Sequence, residues 1–131
     1  MPESPPRPNL LVFLVCRYAA RDEWTKEYST CGIVGRIVSR EFPATSVLSF
    51  FVEMSDCQGE YSIRFILRDG NDAMIQEFVR KPLQSPNPLN VWTLSWTGCR
   101  LAFPRPGRYD LILEVNGEEL ARRRIFVDPT G

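Results

Sequence analysis

The sequence predicts an all-β fold in which two antiparallel sheets stack face to face. Three observations carry that expectation. Runs rich in Val, Ile, Leu, Phe and Tyr recur along the 131 residues, separated by Gly, Pro, Asn and Asp, at the spacing of about eight to twelve residues that marks sheet proteins. Two stretches alternate apolar and polar residues on either side of a tight turn signal, Asp69-Gly70-Asn71-Asp72 and Asn116-Gly117. No stretch repeats apolar residues at the three- and four-residue steps of a helix.

Taken in order, residues 1–8 carry Pro5, Pro6 and Pro8, which remove donors and hold the chain extended. A disordered proline-rich leader is expected there, followed by a single domain over residues 9–128. The run LLVFLVC from Leu10 to Cys16 is too short to span a bilayer. It is preceded by prolines rather than by a basic region, so it reads as a buried strand, Leu10 to Tyr18. Strands follow at Glu27 to Ser39, where Gly32 and Gly35 allow a bulge or a close sheet contact, and at Ser46 to Met54. The first clear hairpin places Tyr61, Ile63, Phe65 and Leu67 on one face, turns at 69–72, and returns from Ala73 to Lys81. Val91 to Trp96 forms the next strand, continued by Leu101 to Phe103, with Trp92 and Trp96 on a common face as core residues. After the turn PRPG at 104–107, Tyr109, Leu111, Leu113 and Val115 face one way, Asp110 and Glu114 the other. Asn116-Gly117 supplies the two positive φ angles of a tight turn, and Glu119 to Asp128 returns.

Antiparallel strands of this length without crossover helices must bury their apolar faces against each other. The stretch KPLQSPNPLN at 81–90 is long enough to carry the chain from one sheet to the other. The expectation is therefore an immunoglobulin-like antiparallel β-sandwich of about seven or eight strands with Greek-key connections.

Composition excludes more than it assigns. Hydrophobic residues at 44% and charged residues at 24% are those of a globular chain. Sixteen basic side chains balance sixteen acidic ones, which leaves no bulk positive field for a phosphate backbone. No nucleic-acid or membrane partner is expected. The chain has no histidine, and so lacks the commonest general base and metal ligand. Its two lysines, Lys26 and Lys81, are not placed to act as neutral bases. The paired carboxylates Asp69 with Asp72 and Glu118 with Glu119 lie in hairpin turns, where turn chemistry alone selects them. Cys16, Cys31, Cys57 and Cys99 include no C-x-x-C pair. They are expected as reduced, packed thiols in a cytoplasmic protein, with a Cys16–Cys31 bridge as the minority reading. No enzyme, metal or cofactor is expected.

Arg122, Arg123 and Arg124 form the densest charge run. In register with Ile125 and Val127, Arg123 turns inward and Arg122 and Arg124 outward, as on an edge strand protected by charge. The more informative feature is apolar residues on faces that ought to be wet. Leu10 to Cys16 is apolar on both sides, Val47 and Phe51 oppose Leu48, Phe50 and Val52, and Ile66 and Ile112 interrupt polar faces. If these converge they form a patch that monomers avoid. The expected role is a protein-interaction or scaffold module, homodimeric or with another protein, contacting its partner through Phe13, Val15, Val47, Phe51 and the loop around Trp24. The alternative is a carbohydrate- or small-ligand-binding module using exposed aromatics.

The segments LVFLVCRYAARD, KEYSTCGIVGRI, REFPATSV and FPRPGRYDLILEVNGEELARRRIFV, in that order, resemble a family of small bacterial immunoglobulin-like proteins of unknown function across residues 10–127. The distinctive parts are EFPA at 41–44, the P-x-P-G-x-Y strand and the N-G-E-E-L hairpin. The resemblance implies the fold and transfers no catalytic or binding residue.

Overall fold

Strict alternation in the two hairpins decides where the core lies. In the computed structural model, which describes residues 5–80, 82–85, 87 and 89–130, Tyr109, Leu111, Leu113 and Val115 are buried beside Tyr61, Ile63, Phe65 and Leu67 in one continuous core. Eleven strands occur among the described residues: β1 (Asn9–Arg21), β2 (Tyr28–Ile33), β3 (Arg36–Ser39), β4 (Ala44–Ser55), β5 (Gly59–Tyr61), β6 (Ile63–Asp69), β7 (Met74–Val79), β8 (Leu83–Ser85), β9 (Trp92–Phe103), β10 (Gly107–Val115) and β11 (Glu118–Pro129). They form a four-stranded sheet β2-β1-β4-β9, a five-stranded sheet β3-β11-β10-β6-β7 and a short pair β5-β8. Every pairing is antiparallel except β3 with β11. No barrel closes.

The two large sheets meet through their apolar faces. Phe13, Val15, Phe50 and Val52 of the first pack on Phe65, Leu67, Leu111 and Leu113 of the second. Rings join the layers: Phe65 lies 4.7 Å from Phe50 and 5.2 Å from Trp96 between centroids. Each fully buried side chain of this size stabilises the fold by about 1.5–3 kcal/mol relative to exposure.

Both hairpins turn where the sequence predicts. Asn116 and Gly117 take φ of 50° and 82°, the left-handed pair a two-residue turn requires. At the other hairpin, Asp69 Oδ1 accepts the N–H groups of Asn71 (2.9 Å) and Ala73 (3.0 Å), fixing the turn with a side chain that is itself buried.

The strand count and three boundaries differ from the sequence expectation. Glu27 to Ser39 is not one strand: the chain leaves β2 at Ile33 and enters the other sheet as β3. Val34 N–H donates to Val15 O and Phe126 N–H donates to Gly35 O, so the backbone on either side of the bend is satisfied by different sheets. Val91 to Trp96 and Leu101 to Phe103 are one strand, β9, whose register with β4 shifts between Leu48 and Phe50 around Gly98 at φ +70°. The linker after β7 runs from the five-stranded to the four-stranded sheet and holds β8, which pairs with β5. Three-residue strands of this kind leave no periodicity to read. The proposed leader falls partly outside the described residues. Of its described part, Pro8 is buried and Pro6 O accepts a hydrogen bond from the Tyr61 hydroxyl at 2.7 Å.

Candidate functional site

The outer face of the four-stranded sheet follows from register. Val15 pairs with Phe50 and Phe13 with Val52 on the core side, so Leu14, paired with Phe51, and Cys16, paired with Ser49, point away from the core. This corrects two assignments: Phe13 and Val15 are core residues, 6% and 0% exposed, and offer nothing to a partner. A register break between Leu10 and Val12 reverses the parity that the uninterrupted apolar run suggests.

Phe51 does face outward, yet the chain covers it. Continuing β1 past Cys16 along β4 would carry Arg21, and Tyr28 opposite it, toward Ala44. Instead the Tyr28 ring lies 5.6 Å from the Phe51 ring, in the other direction along β4. The β1–β2 hairpin therefore doubles back over the sheet as an arm, and Phe51 is buried under it. Gly32, at φ +73° opposite Arg17, sits where a Cβ would come within 3.0 Å of Arg17 Cγ, so a glycine is needed at this irregular point.

At the arm's tip Asp22 Oδ1 accepts the N–H groups of Trp24 (2.8 Å) and Thr25 (2.9 Å). These bonds, the Thr25 amide first, hold the Asp22 carboxyl below its usual 3.8. The turn presents Trp24 92% exposed. Between the arm and the start of β9 lies a cleft of about 470 Å³ walled by Arg21, Tyr28, Leu83, Trp92, Thr93 and Leu94. Arg21 stacks over Tyr28 with its guanidinium 5.6 Å from the ring centre, and the Tyr61 ring meets Trp92 edge-on at 5.8 Å. Trp24 thus stays an exposed candidate at the tip, and Val47, 51% exposed, lies farther along β4 beside Arg100. The cleft residues Arg21, Tyr28, Leu83 and Leu94 were not singled out in the sequence, where no local pattern announces that a hairpin folds back.

The other polar clusters are occupied by structure. On the outer face of the five-stranded sheet, Asp110 is buried between Arg122 (3.2 Å) and Arg124 (3.3 Å), and Arg64 bridges Glu114 (2.6 Å) and Glu77 (2.8 Å). In the register these pairs flank Ile66 and Ile112, which are 1% and 4% exposed and paired across β6 and β10. Phe51, Ile66 and Ile112 are thus buried, whereas Val47 on the first sheet and Val38 and Phe126 on the second remain exposed. Arg123, opposite Leu111, points inward as the register predicts. β11 is an edge from Glu118 to Ile125, because β3 pairs with Phe126 to Pro129. The Glu119 carboxyl is lowered chiefly by its hydrogen bond from Arg122, and that of Asp69 by the Ala73 amide, with Arg105 adding to it. Among the described residues no His, Cys, Asp and Glu side chains gather in a group of three or more that would hold a metal, and no helix is long and apolar enough to cross a membrane.

All four cysteines are free, Cys31 exposed and the others buried. Burial raises the thiols of Cys16 and Cys57 above their usual 9.0 and pushes Cys99 up to about 11. Under native conditions a thiol-reactive dye should label Cys31 rapidly and the other three only on unfolding. Raised thiols stabilise the fold below their unfolded value of 9.0 and lose that contribution as pH rises through the folded one. The lowered carboxyls contribute above their unfolded range and lose it as pH falls. Denaturation midpoints should therefore decline above pH 9 and again in acid. Prompt labelling of more than one thiol in native protein would contradict the burial.

The fold and these clusters define an all-β, two-layer chain with an aromatic cleft under a folded-back arm. It belongs to a family of unknown function, DUF6941, whose profile matches residues 11–128. No curated protein matches it.

Proposed function

We propose that this chain is a non-catalytic protein-interaction module on an immunoglobulin-like sandwich, reading its partner with the β1–β2 arm and the cleft beneath it. Three features support the fold class. The edge strand β3 runs parallel to the last strand in the order β3-β11-β10-β6-β7, and the linker after β7 crosses between sheets. The Tyr109 hydroxyl at the start of β10 donates to Arg105 O at 2.6 Å, the hydrogen bond of a tyrosine corner.

The cleft carries the functional reading. Aromatic residues with an arginine are the side chains that dominate recognition surfaces: Arg21 and the half-buried Tyr28 and Trp92 line the cleft, and Trp24 stands exposed at the tip of the arm. The carboxylates of Asp22, Asp69, Asp110, Glu114 and Glu119 are engaged by amides and arginines, which supports binding over catalysis. Because Phe51, Ile66 and Ile112 are buried within the chain itself, the reading takes a different protein as partner rather than a second copy. Four free thiols fit a reducing compartment such as the cytoplasm.

The test is affinity purification from the native host under reducing conditions. A defined protein should be retained by the wild type, and at least about tenfold less by Trp24→Ala, the loss of one anchoring aromatic. Retention of nothing by either, together with quenching of tryptophan fluorescence by sugars, would favour the carbohydrate-binding alternative.

A further inference from the structure

Strand β9 is half closed. It lies at the end of its sheet, paired among the described residues only with β4. Toward its C-terminal end the second sheet reaches across and seals it: the Gln76 amide of β7 donates to Arg100 O (3.0 Å) and accepts from Ala102 N–H (2.7 Å). One side chain thereby satisfies the edge as a neighbouring strand would. The inward residues of this part, Cys99, Leu101 and Phe103, are buried.

Toward the N-terminal end the one described side chain bonded to this backbone is that of Cys99, whose thiol reaches Trp96 O at 3.8 Å, and the inward row of Trp92, Leu94 and Trp96 is only half-buried. The same row of the adjacent strand β4, Phe50, Val52 and Met54, is fully buried. Two cavities lie along this stretch. One is the cleft at Trp92 to Leu94, and the other, of about 400 Å³, is walled by Val79, Arg80, Ser95, Trp96 and Thr97. A guanidinium stands at each: Arg21 over Tyr28, and Arg80 over Trp96 at 5.8 Å. The acid beside this stretch, Glu53, accepts a hydrogen bond from Thr93 Oγ1.

We infer that the edge formed by Val91 and the first six residues of β9 receives an extended segment of another protein, added as a further strand, with an acidic residue toward each end to meet Arg21 and Arg80. An added strand satisfies the open backbone edge, covers the half-buried row, and places alternate side chains in the two cavities. The seven residues span about 20 Å, room for a strand of ordinary length. This rests on the interaction-module reading and gives it a partner chemistry.

The test starts from a randomised nine-residue peptide library displayed on phage and selected on the full chain. Enriched peptides should be free of proline in their centre and acidic toward both ends. On binding they should slow hydrogen exchange of amides within 91–97 at least about tenfold. Synthetic copies N-methylated at alternate residues should discriminate: one set abolishes binding and the other retains it, because an added strand offers its partner only one edge. Arg80→Glu, and separately Arg21→Glu, should weaken binding by about tenfold or more with an unchanged melting temperature.

Equal effects of the two N-methyl sets, enrichment without acidic ends, or no enrichment at all would overturn the inference. So would a concentration-dependent dimer that protects the same amides, since a second copy would then be the occupant. An arm-dependent partner retained from the host in the absence of any peptide binding would sink strand addition and leave the module reading standing. Loss of both would remove the two together.

Discussion

Phe65→Ala should remove about 3–5 kcal/mol of stability, the cost of truncating a buried aromatic and leaving a cavity. Phe65 is 2% exposed and is the ring through which the five-stranded sheet touches the other layer at three places: Phe50 at 4.7 Å, Trp96 at 5.2 Å and Phe13 at 6.0 Å. These partners come from β4, β9 and β1, so collapse around the cavity would require three strands to move together. For a chain of this length each kcal/mol corresponds to about 3–5 °C, and the melting temperature should fall by roughly 10–20 °C. Phe65→Leu keeps most of the volume and should cost about 1–2 kcal/mol. Thermal melts followed by near-ultraviolet circular dichroism separate the two variants. A loss below about 1 kcal/mol for the alanine variant would mean that the layers are held elsewhere. Against a total stability of about 5–15 kcal/mol, the change threatens the fold and not merely its rigidity.

Phe65 was legible as a core residue because period two is a local property: Tyr61, Ile63, Phe65 and Leu67 needed only their own spacing to be placed on one face. The same holds for β10 and for the inward turn of Arg123. Legibility ended where a side chain's environment depends on a distant segment. Phe13 and Val15 were assigned outward because LLVFLVC gives no polar residue to mark a face, and the register break between Leu10 and Val12 is set by pairing with β4 rather than by the run itself. Phe51 was correctly turned outward, but what covers it is Tyr28, brought there by a hairpin that folds back. Ile66 and Ile112 looked anomalous for a related reason. Their register neighbours are arginines and acids joined in ion pairs, Arg122 and Arg124 with Asp110 and Arg64 with Glu114 and Glu77, and a reading that counts Arg as wet does not see its aliphatic stem.

The candidate site shows the same division. Trp24 stood out by itself, as a large aromatic in a polar turn. The cleft did not, since Arg21, Tyr28, Leu83 and Leu94 come from four strands and share no motif. The edge of β9 is a property of what is missing beside it: the strand reads as an ordinary core strand, and only the position of Gln76 opposite Arg100 and Ala102 distinguishes its sealed half from its open one.

Tyr109→Phe should cost about 1–3 kcal/mol, the penalty for leaving polar groups of a part-buried turn without their partner. The hydroxyl donates to Arg105 O at 2.6 Å and accepts from Arg105 N–H at 3.2 Å. Pro104 and Pro106 on either side have no N–H, so this pair supplies the internal bonding of the turn that delivers the chain into β10. The substitution leaves the ring, 5.0 Å from Phe103 and edge-on to it, so packing is retained and the difference reports the hydroxyl. Tyr109→Ala removes both and should cost about 3–5 kcal/mol. The turn also ties to its neighbour: Arg105 reaches Asp69 at 3.5 Å and Arg108 donates to Gly70 O at 3.4 Å. Loosening it should therefore raise hydrogen exchange in both the 69–73 and the 104–107 turns while the β10–β11 amides stay protected. Equal stability of the phenylalanine variant and the wild type would show that water replaces the tyrosine hydroxyl at Arg105 without cost, and that the corner contributes packing alone.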